Sequence, residues 1–304
     1  MLETYERVGL DYELCHYGAS RLAFRGPEKA PDGPYIAVLG GNATFGKFVA
    51  QPYPELMESI TGIPSLNLGC MHAGAAAFAD DQSVLDICSA AVLTVVQITG
   101  AQGLDNAYYC LHPRRNDRFV AALPKLIDGF PGVDLTECTF VRHLLSVLQD
   151  AEPEEFRSLI ATLKREWVRR MHDLLGRISG PVILLWMADR PQDAPAQPLQ
   201  HQIAHDDLLF VDRDMVNAVR WEAAELVSAV ASDLARGEGL AGKVYSESEE
   251  EAAWRLPGPL WHAEAATALY DAVVKFLPQR PRQRRRHVSE DGEIRVSRSI
   301  PGRQ

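Results

Sequence analysis

Asn42 and Thr44 follow directly on a Gly40-Gly41 pair that closes the apolar block Ile36-Ala-Val-Leu39. Two glycines permit a sharp turn, and open parallel sheets take ligands at the carboxyl ends of their strands. The amide at 42 can donate and accept hydrogen bonds. A hydroxyl at 44 is a nucleophile only where the turn presents it to a base; otherwise a Thr here stabilises the turn. A second group, Cys70-Met-His72, puts a thiol and an imidazole in one loop. Catalysis would need a depressed thiol pKa and a His within hydrogen-bond reach, and the structural alternative is a buried thiol beside a capping His.

The stretch His112-Pro-Arg-Arg-Asn-Asp-Arg-Phe119 concentrates guanidinium groups. Arg114, Arg115 and Arg118 beside His112, ahead of a helix that Asn116 or Asp117 would cap, suit a carboxylate, phosphate or sulfate. The structural alternative is pairing of these Arg with acidic residues of an acidic domain. His143, His172, His201 and His205 lack the H-E-x-x-H spacing or paired carboxylates of a metal site, so no metal and no cofactor is assigned. Asp189, after the apolar run Val182–Met187, is placed to orient a His or to cap a loop.

These groups need elements to hold them. Tyr35–Gly40, Ser65–Leu68 and Val92–Ile98 read as strands, separated by helical patterns over Pro54–Ile60 and Leu85–Ala91. That order predicts a parallel doubly wound sheet. Pro181–Met187 is a further buried strand and Leu226–Val230 the last one, with helices over Asp214–Trp221 and His262–Leu277. Between Gly103 and Gly180 the strand signal disappears. Helices are expected over Phe119–Ile127, Thr136–Gln149 and Pro153–Ile178, forming a helical insertion. Residues 1–34 read as an arm over the domain, with His16–Arg21 packing there or reaching the site. The loops Gly237–Gly242 and Ser246–Glu251 read as exposed.

The 304 residues, 46% hydrophobic and 24% charged, can bury a sizeable core. The net charge of −10 is uneven: Pro278–Gln304 holds eight Arg against Glu290, Asp291 and Glu293, a net of +5, which leaves −15 on residues 1–277. The body should therefore avoid nucleic acid, and only the tail, expected to be a solvated basic segment, attracts it weakly. Five cysteines without a C-x-x-C pair indicate neither a disulfide framework nor zinc. With no apolar leader and no run of about 18 apolar residues, the expectation is a cytoplasmic protein without a membrane partner.

With these pieces placed, the chain resembles the SGNH (GDSL-like) hydrolase superfamily, which implies a three-layer α/β/α fold over Tyr35–Leu277. The family's Gly-Asp-Ser-x-x-x-Gly block is matched in frame by Gly40-Gly41-Asn42-Ala-Thr44-Phe-Gly46, with Asn42 at the nucleophile and Gly41 at the Asp. Asn67-Leu-Gly69 with Gly74 resembles the second block, where Gly69 or Gly74 would supply an oxyanion N–H. Gly100-Ala-Gln102 resembles the third, with Gln102 replacing an oxyanion Asn. Pro259-Leu-Trp-His262 resembles the last, keeping the His and losing the Asp. The fuller string, with Tyr17–Arg21, Phe24–Pro27 and Leu256–Pro259, is also similar to a bacterial domain-of-unknown-function family.

The resemblance implies a catalytic-type set of His262, Asn42 and Gln102; with the residue clusters above, Gly41, Thr44, Asn67, Gly69, Cys70, His72, His112, Arg114, Arg115 and Asn116 are the expected ligand contacts. Asn42, Gln102, His262 and one of the three Arg are expected in one pocket. Loss of the Ser favours a relative that binds a small anionic or sugar-like ligand, since an amide cannot form an acyl intermediate. The alternatives are an esterase or acyl-transfer enzyme using Cys70 or Thr44 with His262 as base, and a structural protein whose tail docks a partner.

Overall fold

The computed structural model describes residues 9–195, 197–205 and 208–278. Five strands, β1 (Ile36–Gly40), β2 (Ser65–Gly69), β3 (Leu93–Gln97), β6 (Val182–Ala188) and β7 (Glu225–Val230), form one sheet in the order β2-β1-β3-β6-β7. Every pairing in it is parallel, and the register sets Val38 beside Asn67 and Val95 and aligns Gly40 with Gly69. The four expected strands are therefore neighbours, and their carboxyl ends open on one side.

Because successive side chains of a strand point to opposite faces, the continuous apolar runs serve two cores. Ile36, Val38, Val95 and Ile183 pack with Met57 of the helix Tyr53–Thr61 and with Ala265 and Leu269 of the helix Pro259–Val273. Ala37, Leu39, Val96 and Leu184 turn the other way, into a core shared with Leu85 of the helix Gln82–Ala90 and with Trp167 and Met171 of the helix Pro153–Gly176. Helices thus cover both faces of a parallel sheet, a three-layer α/β fold. Of the stripe Phe156, Leu159, Ile160, Leu163, Trp167, Met171 and Leu174 that helical spacing predicts to be core, all are buried but Ile160, which is partly buried.

The insertion differs from its expected form. Between β3 and β6 lies an antiparallel hairpin of β4 (Tyr109–His112) and β5 (Arg115–Ala122), where the sequence predicted loop and helix. Phe119 pairs across to Leu111 and sets its ring edge against Tyr109, with centroids 6.5 Å apart. The expected helix Phe119–Ile127 is confined to Pro124–Gly129, and that over Thr136–Gln149 starts at Val141. In β5 only Asn116 is fully buried, so its strand character comes from pairing and leaves little apolar alternation.

The arm is pinned by Arg25. Its guanidinium donates to Gly46 O and Ala50 O, both at 2.9 Å, and lies 5.5 Å from the Tyr12 ring centroid. Its Nε faces Glu55 Oε1 at 3.2 Å as an ion pair outside hydrogen-bond geometry. Within the arm, Ser20 donates to Asp81 and the Ala19 N–H to Ser83, so His16–Arg21 packs against the start of the helix Gln82–Ala90. The basic tail lies outside the described residues, apart from Pro278. No helix among the described residues is long and apolar enough to cross a membrane.

Candidate ligand-binding cleft

The turn after β1 is built around Gln97, the last residue of β3. Its buried Oε1 accepts from the Gly41 N–H (3.2 Å), the Thr44 N–H (3.1 Å) and the Thr44 hydroxyl (2.7 Å). Tyr53 OH lies 2.7 Å from the same Thr44 oxygen, and since the Thr44 proton is committed to Gln97, Tyr53 is the donor. Only Gly fits at 40, where a Cβ would stand 2.0 Å from Thr44 Oγ1 and 2.4 Å from Gln97 Oε1. Asn67 ties β2 to this turn, donating to Thr44 O and accepting the Gly69 N–H, each at 2.9 Å.

Above that floor opens a cleft of about 510 Å³ at the carboxyl ends of β1 and β3, the size class of small-molecule sites. Of the expected site residues it brings together Gly41, Asn42, His72, Gln102 and Asn116. Asn42 Oδ1 accepts the His72 N–H at 3.0 Å, and His72 O accepts the Asn116 N–H at 3.1 Å. Asn116, in β5, then takes the Gly74 N–H on Oδ1 (2.9 Å) and donates to His112 O (3.1 Å). Two asparagines therefore fix the loop after β2 from both sides, holding His72 at a φ of 62°.

His72 Nδ1 stands 3.6 Å from Asp117 Oδ2, too long for a hydrogen bond. Burial lowers the His72 pKa from 6.5; the Asp117 carboxylate opposes this, and Arg115, Lys47 and Arg118 reinforce it, so the imidazole is predominantly neutral at pH 7. Two oxygens on lining side chains, Gln102 Oε1 and Asp117 Oδ1, are buried with no donor.

His262, expected at the rim, is not there. It occupies the first turn of the helix Pro259–Val273 at 1% exposure, stacked on Tyr53 with centroids 6.0 Å apart. Its Nδ1 accepts the Tyr53 N–H at 3.1 Å, and burial, aided by Arg25 and Lys243, drives its pKa to about 3. Tyr53 thus stands between His262 and the turn bearing Thr44. Thr44, Asn67, Gly69 and Cys70 lie outside the cleft lining too. Thr44 is wholly buried beneath the cleft, and burial raises the Cys70 pKa to about 11, against nucleophilic use.

His112, Arg114 and Arg115 are likewise outside the lining. They form the hairpin turn, where His112 Nδ1 accepts the N–H groups of Arg114 and Arg115 at 3.3 and 3.2 Å. Asn116 and Asp117 are consequently strand residues and cap no helix. The guanidinium groups that do reach the cleft belong to Arg142 and Arg255.

Residues 1–277 match a family model described as Domain of unknown function (DUF6473). The chain belongs to that family. No curated protein matches the chain. Solved structures align with the chain at low identity. The chain is similar to a phospholipase A1 from Streptomyces albidoflavus NA297, at 11% identity and a TM-score of 0.40, covering 80% of this chain and 99% of that one. It is similar to an extracellular lipase from Streptomyces rimosus, at 12% identity and a TM-score of 0.40, over 81% of this chain and 100% of that one. A catalytic mutant of an acetylxylan esterase from Geobacillus stearothermophilus aligns at 10% identity and a TM-score of 0.39, over 82% and 98%.

Sequence reasoning missed Lys47, Thr99, Phe140, Arg142, Glu251 and Arg255 in the lining. Glu251 and Arg255 sit on a short helix, Glu250–Arg255, and Glu251, in the segment Ser246–Glu251 expected to be exposed, is exposed. Lys243 holds that helix in place by donating to Ala253 O (2.7 Å) and Leu256 O (2.6 Å). Gln97, also in the lining, carried a local signal, a carboxamide ending a strand rich in β-branched residues.

Proposed function

We propose that this protein binds a small, anionic or sugar-like ligand in the cleft at the carboxyl ends of β1 and β3, and that it does so without a serine-type nucleophile. The observation that carries the reading is the composition of the cleft around Asn42. Amides, an imidazole and charged groups converge there, while the Thr44 hydroxyl and the Cys70 thiol lie outside it. Among the described lining residues the single hydroxyl is Thr99, and no hydrogen bond joins it to an imidazole. Without an activating base such a hydroxyl is a poor nucleophile.

The remaining groups suit recognition. Asn42 is anchored through Oδ1. Lys47, Arg142 and Arg255 bring positive charge to the wall, and Asp117 and Glu251 bring negative charge. Apolar surface from Phe140 and Leu256 completes the walls. A polar-apolar mixture of this kind orients a small ligand through a few directed contacts.

The test is a thermal-shift screen of the full chain against simple anions, hydroxy acids and saccharides, repeated with Asn42→Ala and Arg255→Ala. A stabilising ligand whose effect both substitutions diminish supports the reading, because binding to the native state raises the unfolding temperature by mass action. Stabilisation indifferent to both substitutions would place binding elsewhere and refute it.

A further inference from the structure

We propose that Ser246–Leu256 is a flap that opens independently of the rest of the domain and carries one wall of the cleft with it. Its lining residues, Glu251, Ala252, Arg255 and Leu256, move as one because they sit on or just after the helix Glu250–Arg255. The opening follows from the packing of this segment alone. Its use as a gate rests on the cleft-binding reading above.

Burial within the segment is slight. Between Ser246 and Leu256 only Ala253 is fully buried. Ala253 belongs to neither core of the sheet. It packs with Phe48 and Tyr245, and with the partly buried Leu240 and Leu256, in a small cluster of its own. Trp254 is 59% exposed, its ring resting on Gly239, where an added Cβ would stand 2.8 Å from it. A segment with so few buried apolar contacts opens at a fraction of the free energy of global unfolding.

Both ends of the segment are anchored. On one side the Val244 N–H donates to Phe48 O at 2.8 Å, and the Tyr245 ring stands edge-on to Phe48 with centroids 6.4 Å apart. On the other, Pro257 and Gly258 are buried and the Leu260 N–H donates to Glu238 Oε2 at 3.1 Å. Between these anchors two lysines hold the flap closed. Lys243 donates to Ala253 O and Leu256 O, at the end of the helix, and Lys47 Nζ lies 3.3 Å from Glu249 Oε1. Lys47 itself lines the cleft. Opening therefore withdraws a wall and parts Lys47 from its carboxylate in the same movement.

Hydrogen exchange of the full chain without ligand, read by mass spectrometry on peptides across 246–256, tests this apart from the ligand reading. In the parent the segment should exchange faster than β1, β3 and the helix Pro259–Val273, at a rate that low urea leaves unchanged, because local opening exposes little new surface. Lys243→Met leaves two carbonyls without a charged donor and should speed that exchange about tenfold, with β1 and β3 unchanged. Lys47 should also react faster with N-hydroxysuccinimidyl acetate in that variant. Glu249→Gln, which keeps an acceptor for the Ser246 N–H and hydroxyl, should act in the same direction and remains informative if Lys243→Met disturbs the fold. A segment that exchanges in step with β1 and β3 in the parent would overturn the flap. So would variants that leave its exchange unchanged or speed the whole chain alike. Faster exchange in the segment with Lys47 reactivity unaltered would overturn its link to the cleft wall.

Discussion

Asn116 Oδ1 accepts the Gly74 N–H at 2.9 Å, joining β5 of the hairpin to the loop that follows β2. The contact closes one wall of the cleft and couples the insertion to the sheet. Asn116→Leu removes the acceptor and leaves a buried N–H unmet, which should cost about 1–3 kcal/mol. Urea unfolding should show a lower midpoint at an unchanged m-value.

The Thr44 hydroxyl sits between Gln97 and Tyr53, 2.7 Å from each. Thr44→Val should destabilise the fold by about 1–3 kcal/mol, because the Tyr53 hydroxyl then has no acceptor in a fully buried site. Ligand affinity should not change, since Thr44 lies beneath the cleft and not in its lining. Calorimetric unfolding and a binding titration on the same variant separate the two effects.

Much of this was legible beforehand, and the misses have physical causes. β1, β2, β3 and β6 are buried on both faces; β1 and β6 are short unbroken apolar runs, β2 and β3 mix apolar residues with buried Ser65, Asn67, Thr94 and Gln97, and the glycines at the ends of β1 and β2 marked the turns. Those runs placed Asn42 and Gln102 at the cleft. The hairpin was not legible because β5, RNDRFVAA, has a mostly exposed surface and takes its structure from pairing with β4. His262 was misplaced because its position ahead of the last helix is local information, whereas its burial against Tyr53 is set by packing between elements 209 residues apart. Arg142 and Arg255 reach the cleft by tertiary folding alone, from helices with no distinguishing motif.

Arg25 connects the arm to the turn after β1 through Gly46 O, Ala50 O and Glu55. Arg25→Met keeps much of the apolar stem and removes the charge-assisted bonds, leaving Glu55 without its partner. The expected loss is at least about 2 kcal/mol. Limited proteolysis should then cleave the arm ahead of the rest of the domain, and an arm that stays protected would argue against this anchoring.

His262 gives the fold an acid sensitivity with a defined sign. Its pKa is about 3 in the folded protein against an ordinary 6.5, so between those values the unfolded chain binds the extra proton. Stability contributed by the neutral ring is full above pH 6.5 and declines as the pH falls toward 3. His262→Gln should be less stable than the parent at neutral pH, and the gap between them should narrow on acidification. Parallel stability curves across that range would show that His262 does not titrate as described.

A polar cleft without a serine-type nucleophile should leave the protein unlabelled by a fluorophosphonate probe, which intact-mass spectrometry reads out. An unmodified mass is expected, together with no burst of product from p-nitrophenyl acetate. A single adduct mapped to Thr99 or to any other cleft side chain, lost on competition with a bound ligand, would contradict it.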